Sequence, residues 1–98
     1  MPVSHPDYYE PKANWSLIPE HMHDGIIRWV MRGEPQGGFL MAVLANDFME
    51  AASRADQANG ESLKGWAMFL YNYTPRNSWG SPEMVEAWAE RGGVLGHE

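Results

Sequence analysis

The stretch from residue 35 to residue 59 constrains the fold most, because it joins the longest apolar run of the chain to residues that begin and end helices. The run, FLMAVL at positions 39–44, is rich in helix formers and lies between a glycine pair and Asn46. Asp47, followed three residues later by Glu50, has the spacing of a capping box. The pattern therefore predicts either two short helices that meet at Asn46 and Asp47, or one helix with a polar step inside.

Three further helices are predicted from hydrophobic spacing and from residues that favour helix ends. The first covers residues 19–32, with Gly33 as its C-cap. Another covers about residues 60–73, with Asn59 as its N-cap, and the last begins at Ser81 and ends at a glycine pair. No stretch has a convincing strand pattern, so we expect an all-α protein, a compact single domain of about four helices.

The N-terminal residues have no helical period and contain three prolines, which indicates an extended or mobile arm. Tyr8, Tyr9 and Trp15 are positioned to hold this arm against its own domain or against a neighbouring subunit. The predicted division of the chain is therefore an arm at 1–16, a helical domain at 17–92 and a frayed tail at 93–98.

Composition excludes several classes of protein. Thirteen acidic and seven basic side chains give a formal net charge of -6, which disfavours non-specific binding to DNA or RNA. The absence of cysteine excludes disulfides, cysteine zinc sites and thiol chemistry. The N-terminus lacks the order of a signal peptide, and no apolar run is long enough to cross a membrane. We therefore expect a cytoplasmic protein with no membrane partner.

Short linked motifs follow one another from residue 18 to residue 88. They are Ile18-Pro19, Gly37-Gly38-Phe39-Leu40, Ala42-Val43-Leu44, Asn46-Asp47, Arg54-Ala55-Asp56, Asn59, Leu70-Tyr71-Asn72, Pro75, Trp79-Gly80-Ser81-Pro82-Glu83 and Trp88. Together they resemble a widespread family of small proteins encoded in phages and prophages. The resemblance implies a phage origin and a place in the cytoplasm of a bacterial host, and it carries no activity over to particular residues. Small phage proteins of this size often antagonise host immunity, by inhibiting an effector or by sequestering a nucleotide signal.

Polar residues within the central stretch are the strongest candidates for a site. Arg54 lies two helical turns after Asp47, and an arginine fork suits phosphate or carboxylate. Gly37 and Gly38 precede an apolar helix and would present backbone N–H groups to an anion. The alternatives are a glycine loop that needs positive φ or close backbone approach, and helix caps with a structural arginine–carboxylate pair.

Aromatic side chains near the C-terminal helices offer flat surfaces for stacking on a purine base. Tyr71 and Trp79 are the candidates, and the alternative is an aromatic core layer with Trp79 as a packing anchor. The predicted ligand-binding residues are therefore Gly37, Gly38, Asn46, Asp47, Arg54, Asp56, Asn59, Tyr71 and Trp79.

Metal and catalytic sites are not predicted. His21 and His23 are two positions apart and point in different directions on a helix, so we expect exposed histidines and no metal. No nucleophile–base spacing is visible, so we expect neither an enzyme nor a cofactor.

The leading hypothesis is a non-enzymatic phage protein that sequesters a small phosphate-containing ligand, such as a nucleotide immune signal. We expect a homo-oligomer, because a small domain encloses a charged ligand more readily between subunits. The alternative is an inhibitor that binds a host defence protein or regulator through exposed Trp, Met and Tyr side chains. A structural protein of the phage particle is a third possibility.

Overall fold

A computed structural model describes residues 5–96 and shows an all-α protein, as the sequence predicts. Within these residues there are six α-helices and three single-turn 3-10 helices, and no strand. No helix in this part of the chain has the length and apolar character needed to cross a bilayer. The α-helices are α1 (His23–Arg32), α2 (Gly38–Leu44), α3 (Phe48–Arg54), α4 (Gln57–Glu61), α5 (Leu63–Tyr73) and α6 (Pro82–Arg91); the 3-10 turns are Trp15–Leu17, Glu20–Met22 and Arg76–Ser78.

The central stretch forms two helices, α2 and α3, and not one interrupted helix. Asn46 ends the first with a left-handed backbone (φ 64°), a conformation that asparagine tolerates better than most residues. The Asp47 side chain then caps α3 by accepting a hydrogen bond from the Glu50 backbone N–H at 3.2 Å. Only half of the predicted capping box forms, because the Asp47 N–H donates to the carbonyl of Ala42 and the Glu50 carboxylate pairs with Arg54.

The helix predicted over residues 60–73 divides into α4 and α5, and its predicted cap is wrong. Asp56, not Asn59, caps the first of these helices, and its carboxylate accepts the backbone N–H of Asn59 at 2.8 Å. Asn59 lies inside α4 and is buried, and its side-chain oxygen accepts the indole N–H of Trp66 at 3.0 Å. A buried indole N–H needs an acceptor, which explains this polar residue in the core.

Three other helix ends agree with the sequence, whereas the helix predicted to start at residue 19 begins at His23, after the 3-10 turn Glu20–Met22. Gly33 ends α1 with φ 70° and Gly92 ends α6 with φ 85°, both in the left-handed region that glycine adopts without strain. Ser81 caps α6 by accepting the N–H of Met84 at 3.1 Å, and Pro82 occupies the first helical position. These ends are set by local chemistry, which a sequence pattern captures.

The N-terminal segment matches the predicted extended arm only in part. Residues 5–14 contain turns and no helix, but Tyr8 and Trp15 are buried in the core of the same domain. The Tyr8 hydroxyl donates a hydrogen bond to the carbonyl of Tyr73 at the end of α5. Burial raises the pKa of this hydroxyl, so it stays a donor throughout the ordinary pH range. Residues 1–4 of the predicted arm lie outside the described residues.

The C-terminal segment after α6 is hydrogen bonded to α1. The backbone N–H groups of Val94 and Leu95 donate to the carbonyls of Val30 and Met31, each at 2.9 Å. These two bonds hold the segment after α6 against α1. Residues 97 and 98, which belong to the predicted frayed tail, lie outside the described residues.

We predict that Gly65→Ala destabilises the fold strongly. The backbone of α5 passes so close to the Trp15–Leu17 turn that a Cβ on Gly65 would lie 1.9 Å from the carbonyl oxygen of Leu17. Either the helix or the N-terminal segment must move, at a cost of about 1–3 kcal/mol or more. Urea unfolding measures this cost. Gly60→Ala is the matched control, since a Cβ there meets nothing closer than 3.9 Å. Equal stability of the two variants would contradict the close contact.

Candidate functional site

The nine predicted site residues lie around two separate cavities that share no lining residue. A polar cleft of about 460 Å³ is lined by Gly37, Gly38, Arg54, Asp56 and Asn59. An apolar groove of about 640 Å³ is lined by Asn46, Asp47, Tyr71 and Trp79. The structure therefore brings together two subsets of the predicted constellation and separates them from each other.

Arg54 is the principal cation of the polar cleft, and it is held in place from two sides. Its guanidinium pairs with the carboxylate of Glu50, one turn earlier on α3. Its side chain also packs over the start of α2, where a Cβ on Gly38 would lie 2.8 Å from Arg54 Cδ. Gly38 therefore serves close approach, one of the two structural alternatives for the glycine pair, and neither Gly37 nor Gly38 has positive φ.

Asp56 links the polar cleft to the start of α4. One carboxylate oxygen accepts the Asn59 N–H, and the other lies 3.0 Å from His21 Nε2. The hydrogen bond from the Asn59 backbone, with a smaller contribution from His21, lowers the pKa of Asp56. Asp24 also lines this cleft and pairs with Arg28 at 3.1 Å. The cleft therefore brings carboxylates as well as a guanidinium to any ligand.

The two histidines near α1 occupy different environments. His21 is exposed, as predicted, but His23 is buried, which the sequence prediction did not anticipate. His23 Nε2 lies 3.0 Å from the carbonyl of Trp15, and its Nδ1 lies 3.0 Å from Nε2 of His5. Both ring nitrogens therefore anchor the N-terminal segment. Among residues 5–96, no three His, Asp or Glu side chains converge as a metal site.

The apolar groove lies between α3 and α5. It is apolar because α5 has apolar side chains on more than one face. Trp66 and Leu70 point into the core, while Ala67 and Tyr71 are exposed along the groove. Ala51 of α3 is small and buried, and it leaves room between the two helices. A helix with apolar residues all round normally has both faces covered. Within residues 5–96, no segment covers the outer face of α5.

Large apolar side chains in contact with water concentrate at this groove. Residues 5–96 include six exposed large hydrophobic side chains, and three of them line the groove. These three, with their exposed fractions, are Phe48 (66%), Met68 (43%) and Tyr71 (77%), whereas Met49 (76%) follows Phe48 in the chain but is not part of the lining. Phe48 is the first residue of α3 and stands at the groove, beyond the core.

Tyr71 and Trp79 differ in how they contribute to the groove. Tyr71 is mostly in water and does not belong to an aromatic core layer. Trp79 is partly buried and packs under the guanidinium of Arg76, which lies 4.4 Å from the ring centre. Its Nε1–H is buried without an acceptor in the described part of the chain. Trp79 therefore forms a packed wall, and Tyr71 forms an accessible rim.

Comparison of the chain with protein-family models, curated proteins and solved structures finds no match in any of the three. The resemblance to small phage and prophage proteins stays a prediction, and functional inference depends on the two cavities.

We predict that NMR titration of the Asp56 carboxyl gives a midpoint below its usual value of 3.8. Since the folded pKa is lower than the unfolded one, Asp56 stabilises the fold above pH 3.8, and this contribution is lost as the pH falls through the folded pKa. In His21→Ala the midpoint should rise but stay below 3.8, because the Asn59 N–H is the larger cause. A midpoint at 3.8 in that variant would show that His21 alone lowers the pKa.

Proposed function

We propose that this protein is a non-enzymatic binding module that holds an apolar segment of another protein in the groove between α3 and α5. The observation that carries this proposal is the concentration of Phe48, Met68 and Tyr71 at one groove. Isolated apolar side chains are common on protein surfaces, whereas a group of them around a cavity is typical of an interaction site.

The exposed rings are large enough to contribute substantially to binding. A buried aromatic side chain covers about 150–250 Å², so Phe48 and Tyr71 each leave more than about 100 Å² in water. At about 25 cal/mol per Å², covering each ring favours association by roughly 3 kcal/mol before the entropic costs of binding. Aromatic residues at such positions are the usual binding hot spots.

The sequence context supports a host protein as the partner. Small phage proteins of this size often inhibit defence effectors or regulators, and the resemblance of this chain to small phage proteins supports such a role. Blocking by occupancy needs no catalytic group, which agrees with a groove lined mainly by carbon atoms. The proposed role is therefore inhibition of a host defence protein or regulator in the bacterial cytoplasm.

We predict that a partner contacts the groove directly. A photo-reactive benzoylphenylalanine in place of Tyr71 should cross-link one partner stoichiometrically in host lysate, while the same group in place of the exposed Glu86 on α6 should not. Ala67→Glu places a charge in the groove without changing the core, and it should abolish this cross-link.

The matched control is Ala87→Glu, the same change at an exposed position of α6 that does not line the groove. It should leave the cross-link intact. A partner that is still captured after Ala67→Glu would contradict the proposed function, because the groove would then not be the contact surface.

A second candidate function is sequestration of a phosphate-containing small molecule, such as a nucleotide immune signal, in the polar cleft. Its support is that five predicted residues line one cleft and that the Arg54 side chain remains 57% exposed. An anion in the cleft would be repelled by the carboxylates of Glu50, Asp24 and Asp56. For this reason we rank the cleft second. A homo-oligomer would be expected in this case, since a second subunit would help to enclose the ligand.

For the cleft, we predict that calorimetry against a panel of mononucleotides and cyclic dinucleotides gives heats that Arg54→Ala abolishes. Arg32→Ala is the control, because Arg32 is an exposed arginine on α1 that lines neither the cleft nor the groove. It should retain binding. Equal, undetectable heats for wild type and both variants would exclude this second candidate.

A further inference from the structure

The lining of the groove selects the backbone conformation of the segment that can fill it. Few polar groups face the groove, and two of them are already used: Asp47 caps α3, and the Asn72 amide donates to the carbonyl of Met68. An extended segment would bury backbone N–H and C=O groups without partners, at a cost for each group. Residues 5–96 offer no sheet edge that could pair with it. A helix satisfies its own backbone and therefore suits this surface.

The length of the groove also suits a short helix. Its lining residues on α5 run from Leu63 to Asn72, which at 1.5 Å per residue spans about 14 Å, or between two and three helical turns. Met68 lines it with a flexible side chain that adapts to different apolar anchors. Apolar residues three and four positions apart on one face of a partner helix would meet this length of α5.

Charge and area argue against a second copy of this chain as the occupant. Each copy carries a net charge of -6, so two copies repel each other. The three exposed side chains at the groove provide roughly 400 Å², whereas a stable interface buries about 800 Å² on each partner. A single bound helix needs a smaller contact area than a dimer of this protein. The negative charge of the protein attracts a basic helix and repels a second acidic copy.

We propose, on the basis of the proposed function, that the occupant is an amphipathic helix of two to three turns with lysine or arginine residues at its ends. Its apolar face lies in the groove against Phe48, Met68 and Tyr71. The charged side chains that line the groove within the described residues are Asp47 and Lys64, so the centre of the groove is nearly neutral. The attraction for a basic end therefore comes from the acidic surface of the whole protein.

The probes for this proposal are fluorescein-labelled helical peptides of about 16 residues, or about four turns. One has a leucine face and lysine ends, the second has the same face with glutamate ends, and the third has lysine ends with serine in place of leucine. By fluorescence anisotropy, the first should bind wild type at least about tenfold more tightly than the second, and the third should not bind.

The groove variants locate this binding. Ala67→Glu should weaken the lysine-ended leucine peptide by about tenfold or more, whereas Ala87→Glu, which adds the same charge elsewhere, should change it by less than about twofold. Phe48→Ala tests the same face by removing an exposed ring, so its folding is not at risk. It should also weaken binding, and circular dichroism checks that every variant is helical.

Several outcomes would overturn the proposal. If the leucine and serine peptides bind equally, charge attraction alone explains the binding. If a proline-substituted leucine peptide binds as tightly as the original, the bound segment is not a helix. Dimerisation of the free protein that Ala67→Glu abolishes would assign the groove to a second copy. If no leucine peptide binds while a host partner still cross-links through position 71, this inference fails and the proposed function stands. If neither occurs, both fail.

Discussion

Hydrogen bonds from buried tryptophans hold the helices of this protein in their arrangement. Trp29 lies at the centre of α1, and its indole N–H donates to the carbonyl of Ser78 at 2.9 Å. Its own carbonyl accepts the indole N–H of Trp88 at 3.0 Å, which ties α6 to the same turn of α1. Each buried donor would cost about 1–3 kcal/mol if left without an acceptor, so these bonds restrict how the helices can pack. The orientation of α6, and the position of Trp79 at the groove, depend on them.

Helix caps made by neighbouring residues could be predicted from the sequence. Hydrogen bonds between polar side chains and residues distant in the sequence could not. The caps at Ser81 and Asp47 need only neighbouring residues, and both were predicted correctly. Asn59 and His23 have polar side chains that bond to partners seven or more residues away, Trp66 in one case and the N-terminal segment in the other. A pattern of spacings shows neither partner. Both residues were therefore assigned to the surface or to a cap, although both are buried.

The predicted site residues lie in two cavities because a capping residue does not follow the periodicity of its helix. Asp47 and Arg54 are seven residues apart, a spacing that places two helical residues on one face. Asp47, however, has φ -103° and ψ 85°, and its side chain turns back to the N–H of Glu50 beside the groove. Arg54 lies at the other end of α3, over Gly38 in the cleft. Helical spacing therefore joined two residues that belong to different cavities.

The position of α5 explains why the two cavities differ in character. One side of this helix is covered by the N-terminal segment, which approaches Gly65 so closely that no side chain fits there. Another side enters the core through Trp66, Phe69 and Leu70, and the third is left to water. The cleft, by contrast, borders helix ends, where side chains are polar because caps and unpaired backbone groups require them. The polar residues of the cleft are thus accounted for by the cap at Asp56, the Arg54–Glu50 pair and the acceptor that Asn59 provides for Trp66, whereas an uncovered apolar helix face is not required by the fold.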